Sequence, residues 1–144
     1  SKAGLMFRNA MNKLGVESTM TSMTKHIAAN VGDDGGSELV TVNWDINVSN
    51  PTEFLPLWTE LSKSTENYDW NADACGVQQH MLGNNGNGIT HNVWCVFSSP
   101  QAALNFLDNY TTTPEFAEYS AKVSDHRTFL RSHMAYLVKE YNPD

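Results

Sequence analysis

The sequence predicts an α+β fold: an antiparallel sheet assembled in the order strand, helix, strand, strand, helix, strand, with both helices on one face. Three observations predict it. Residues 39–48 alternate apolar and polar side chains, the period of a half-buried strand. Pro51, Pro100 and Pro114 each follow an Asn, Ser or Thr and each open a stretch with apolar residues at helical spacing. Asn85-Gly86 lies between two alternating segments, as a two-residue hairpin turn requires, because that turn needs positive φ at both central positions.

Composition sets the outer bounds. A chain of 144 residues with 40% apolar content can build one domain with a real core. Its formal net charge of −7 repels phosphate backbones and anionic headgroups, so neither nucleic acid nor a membrane is expected as partner. No apolar run approaches the roughly 18–20 residues of a bilayer span, and the N-terminus shows no signal-like apolar stretch.

Along residues 1–31 the apolar side chains recur at helical spacing, first Ala3, Met6, Phe7, Ala10, Met11 and Leu14, then Met20, Met23, Ile27 and Val31. A helical extension with its loop is therefore expected over 1–38, ahead of a domain over 39–144, with Gly32–Ser37 as the boundary. In the first strand Val40, Val42, Trp44, Ile46 and Val48 share one face, and Thr41, Asn43, Asp45 and Asn47 the other. Asn50-Pro51-Thr52-Glu53 reads as a capping box, worth about 1 kcal/mol at the cap. Phe54, Leu57, Trp58 and Leu61 form that helix's stripe. Ser99-Pro100 and Thr113-Pro114 open two pieces of a broken helix, and residues 128–141 read as the last strand. With right-handed crossovers this order gives the ferredoxin-like sandwich.

The stretch HMLGNNGNGITH, residues 80–91, fixes an expected register. Centring the turn on Asn85-Gly86 places His80 opposite His91, with Cβ atoms roughly 4.5–5.5 Å apart. The pair lacks a third ligand, so no metal is expected. In that register Cys75 and Cys95 fall on opposite faces and stay free thiols, which fits an intracellular setting.

The sheet face turned away from the helices collects Thr41, Asn43, Asp45, Gln79, Met81, Asn92, Trp94, Arg131 and His133, with Val77 and Val96. An apolar wall with a few convergent polar groups is the composition of a small-molecule pocket. In that role Trp94 and Met81 form the wall, Asn43 and Asn92 orient polar groups, His133 carries a proton and Arg131 stabilises an oxyanion. Asp45 either orients His133 or pairs with Arg131 across a wet dimer interface, the other reading of this face.

The element order resembles the dimeric α+β-barrel superfamily, including antibiotic-biosynthesis-monooxygenase-like proteins. The resemblance is carried by His91-Asn-Val-Trp-Cys-Val-Phe-Ser-Ser-Pro-Gln-Ala-Ala-Leu104 and Thr113-Pro-Glu-Phe-Ala117 and covers about residues 39–141. It implies a homodimer whose sheets pair across the dimer axis, with a pocket between sheet and helices or in the barrel lumen. Of the residues that hold haem in one branch, Asn43 matches, while Phe97 replaces a tryptophan and Ser120 a histidine. No haem, and no other cofactor, is therefore expected. Two functions follow as expectations: a small-molecule-binding, monooxygenase- or isomerase-like protein without a cofactor, or a non-catalytic accessory subunit docking through residues 1–31.

Overall fold

A computed structural model describes residues 21–31, 39–84 and 88–136. The elements are β1 (Thr21–Val31), β2 (Val40–Val48), α1 (Pro51–Ser64), β3 (Ala74–Asn84), β4 (His91–Phe97), α2 (Pro100–Tyr110), α3 (Pro114–Val123) and β5 (Arg127–Tyr136). The strands form one sheet in the order β1-β3-β4-β2-β5, every neighbouring pair antiparallel. From β2 onward this is the expected ferredoxin-like arrangement, and β1 adds a fifth strand beyond β3.

That fifth strand corrects part of the expected helical extension. Residues 21–31 pair with β3 from Thr21↔Asn84 to Val31↔Ala74, with two register shifts. Thr21, Thr24, Ile27 and Val31 are β-branched and suit a pleated surface, and pairing satisfies the backbone of an 11-residue β3 that would otherwise be an open edge. The rest of that expectation, residues 1–20 and the 32–38 boundary, lies outside the described residues, as do Asn85-Gly86 and residues 137–141.

The helices cover the face of Val40, Val42, Ile46 and Val48, as alternation predicts. One core cluster joins Ile46, Val48 and Val77 to Phe54, Trp58 and Leu61 of α1 and to Tyr119 and Val123 of α3. A second joins Val40, Val42, Cys95 and Phe97 to Ala103 and Phe106 of α2. Ser99 and Thr113 cap α2 and α3 as expected: their hydroxyls accept from Ala102 N and Phe116 N, each at 3.1 Å. Asn50 differs. Its carbonyl accepts from Phe54 N at 3.0 Å, but its side chain makes no cap bond, so the capping box does not form.

The expected hairpin register is also corrected, by one residue. Gln79, not His80, lies across from His91, and Cys75 lies directly across from Cys95. A slip of one exchanges the faces of every β3 side chain. It carries Val77 onto the helix face, where it is fully buried, instead of leaving it on the open face. Residues 88–90 are tied to β2: Asn47 Nδ2 donates to Gly88 O at 2.7 Å, Thr90 N to Ile46 O at 3.0 Å and Val48 N to Thr90 Oγ1 at 2.8 Å. Gly88 takes a φ of 69°, the left-handed conformation glycine adopts freely. Burial of Val77 and these anchors fix the register of the described residues.

Two expectations fall with the register. Cys75 and Cys95 form a disulfide, with Cα atoms 4.1 Å apart, so neither is a free thiol. His80 and His91 do not face one another, and among the described residues no three His, Cys, Asp or Glu side chains gather to hold a metal.

Candidate functional site

Where the helices arch over the sheet they leave a cavity of about 580 Å³. Its floor is Trp44, Ile46, Val93 and the Cys75–Cys95 disulfide. Its roof comes from Trp58 and Ser62 of α1 with the C-cap Thr65, Phe106, Leu107 and Tyr110 of α2, and Phe116 and Tyr119 of α3. The rings lock one another. Phe106 stacks on Tyr110 at 4.5 Å between centroids and packs against Phe97 at 5.1 Å, and Tyr110 meets Phe116 at 5.0 Å. Such contacts hold the walls apart in a fixed shape.

The polar groups sit at the two ends. At the start of β5, beside Val48, the Arg127 guanidinium lies over the Tyr119 ring, 5.7 Å from its centroid. At the start of β3, where Asp73 N donates to Val96 O at 3.0 Å, one Asp73 carboxylate oxygen is buried without a hydrogen-bond partner. Burial pushes the Tyr110 hydroxyl well above the usual phenol range. Burial also raises Tyr119, with Arg127 pulling the other way. Both phenols therefore remain protonated donors at neutral pH.

The sequence-predicted site residues lie elsewhere, and none lines this cavity. Three of them meet on the open face of the sheet. Asn92 Nδ2 donates to Asp45 Oδ1 at 3.0 Å and Arg131 Nε to Asp45 Oδ2 at 2.6 Å, with Asp45 and Asn92 buried. Both Asp45 oxygens are thereby engaged by partners other than His133. Asn43 donates to Thr41 Oγ1 at 3.2 Å and lies in register between Trp94 and His133. The Trp94 indole rests on Gly76, where an added Cβ would come within 2.6 Å of its Cε2. A glycine inside a strand marks such a close approach. Met81 is half exposed and is the β3 residue passed over where the pairing with β1 steps from Thr24↔His80 to Met23↔Leu82.

His91 belongs to the core rather than to a site. It is buried against Phe54, at 6.3 Å between rings, with Nδ1 2.9 Å from Thr90 Oγ1 and Nε2 unpartnered. Burial first, and the nearby His80 second, hold it below its ordinary value of 6.5. The unfolded chain therefore binds a proton that the folded chain refuses. His91's contribution to stability is complete above pH 6.5 and is lost as pH falls from there through the lowered folded value. Urea melts of His91→Leu should show a flatter dependence over that interval than the parent protein. Equal slopes would place the acid sensitivity elsewhere.

No protein-family model matches the sequence, and no curated protein does. Solved structures do. A protein described as a "Putative monooxygenase" from Fusobacterium nucleatum superposes with a TM-score of 0.59 at 14% identity, over 94% of this chain and 59% of that one. SnoaB, a cofactor-independent oxygenase from Streptomyces nogalater, gives 0.41 at 14% identity over 74% and 97%. A dimeric ferredoxin-like protein of unknown function from Bacteroides fragilis gives 0.40 at 10% over 69% and 93%. The chain thus spans about three-fifths of the Fusobacterium protein it matches. At 14% identity the likeness to the Fusobacterium protein establishes the fold alone, the α+β sandwich described above.

Proposed function

We propose that this protein binds a small, flat organic molecule in the cavity between sheet and helices, and that it acts on that molecule as a cofactor-independent monooxygenase- or isomerase-like protein. The cavity carries the reading. Its volume falls in the range of small-molecule sites, and its walls are aromatic with few polar groups, the composition that buries a planar ligand and orients it. The free Asp73 oxygen is the acceptor available to a bound hydroxyl or to a proton leaving the ligand. The monooxygenase description of the Fusobacterium protein supports the same class.

Two further parts of the proposal concern setting. Two copies pair through the sheet face that carries Asp45, Trp94 and Arg131. The disulfide removes the thiols that argued for a reducing interior and fits an oxidising compartment instead.

Trp44 and Trp58 both line the cavity and report on its contents, so quenching of their emission by naphthalene-type compounds tests the reading. Ser62→Phe projects a ring into the hollow from α1. It should weaken binding at least tenfold while leaving the urea midpoint unchanged or slightly raised, since filling a void adds contacts. Retained binding in Ser62→Phe would move the ligand out of this cavity. Sedimentation of the same samples distinguishes a 16.0 kDa chain from a pair.

A further inference from the structure

We propose that the ligand of this cavity is an anion, a planar aromatic acid whose carboxylate is held by Arg127; the inference rests on the cavity being a ligand site, as argued above. β5 carries two arginines near the core, and their surroundings differ. Arg131 points to the open face and is neutralised by Asp45 at 2.6 Å. Arg127 reaches the cavity, is partly buried, and has no carboxylate within ion-pair distance among the described residues. Its neighbour is Tyr119, whose ring it overlies and whose hydroxyl engages part of its hydrogen bonding, which leaves the remainder of its five N–H donors for a ligand. A guanidinium brought partly out of water without a counter-charge is costly, and a ligand carboxylate supplies that charge with paired, parallel hydrogen bonds.

The layout of the cavity agrees. Its acids, Glu66 and Asp73, lie on segments at the other end of the helix-covered face from Arg127. Asp73 sits beside the end of β4, which pairs with Val40, whereas Arg127 pairs with Val48, eight residues along β2. Between them stand the indoles of Trp44 and Trp58 and the ring of Phe106. A flat ligand lying along this axis meets the cation with its acid and the unpartnered Asp73 oxygen with a donor such as a hydroxyl. The net charge of −7 opposes anions from a distance, but at physiological salt that field decays over roughly 8 Å, and within the cavity the adjacent cation decides.

The test compares three probes of nearly equal shape on the full chain: 2-naphthoate, 2-naphthalenemethanol and 2-naphthylmethylamine, each titrated against tryptophan emission. The anion should bind at least tenfold more tightly than the alcohol, and the amine more weakly than either. In Arg127→Met the anion's advantage should vanish while the alcohol's affinity stays within about twofold. Arg127→Lys should restore part of it, because lysine keeps the charge and loses the fork. Surface variant Lys122→Met should leave the preference intact. Equal binding of all three probes by the parent protein overturns the charge assignment, and so does a preference that survives Arg127→Met. Quenching by none of them overturns the cavity reading, and this inference with it. The parent's own ranking decides the matter even where Arg127→Met fails to fold.

Discussion

Phe106→Ala is expected to cost about 3–5 kcal/mol of unfolding free energy, the largest single effect among the cavity residues. Phe106 is 2% exposed and is the hub of the aromatic wall. It touches Phe97 and Tyr110 closely and meets Trp70 and Trp44 at 5.9 and 6.4 Å between centroids. Truncation removes its buried surface and leaves a void continuous with an existing cavity, so the neighbours have little to collapse onto. The same change should loosen ligand binding, because the rings that held the wall upright lose their support. Leu104→Ala, two residues away in the same helix and half exposed, should cost well under 1 kcal/mol. Comparable urea midpoints for the two variants would show that the wall is not packed as described.

Cys75→Ala with Cys95→Ala should lower stability by about 3 kcal/mol, the chain-entropy value for a cross-link closing a loop of this size. The sequence separation is 20, and the link joins residues already paired in the sheet. The native state therefore holds its shape when the bond is broken, since Val77 opposite Val93 preserves the register, and the loss falls on the unfolded side of the equilibrium. The parent protein with added reductant should melt with the double variant. If oxidised and reduced parent melt together, the sulfurs are not joined. Because the disulfide is part of the cavity floor, ligand affinity should shift alongside stability.

The strand and helix order from β2 onward was legible in the sequence, for a physical reason. Alternation in residues 40–48 and the hydroxyl-proline starts at Ser99 and Thr113 are local signals, and each is satisfied within a few residues of itself. The opposed Asp45 and Arg131 were likewise readable as a pair on one face, since antiparallel neighbours on one parity meet.

Only the tertiary structure decided where the hollow lies and which side chains enter it. Residues 21–31 had a helical spacing of methionines and apolar residues, yet the unpaired edge of β3 made a strand of them. Asn85-Gly86 argued for His80 opposite His91, but burying Val77 and anchoring residues 88–90 on β2 moved the register by one, which brought the cysteines together and put Gln79 across from His91. In β5 the pairing steps from Asp45↔Arg131 to Ile46↔Phe129 and passes over Leu130. That bulge inverts the alternation, so Arg127, which simple parity assigns to the open face with Arg131, is turned into the cavity. A local pattern fixes the parity of a strand only until one residue is left unpaired. Where that happens depends on what the sheet must bury, which no short stretch of sequence contains.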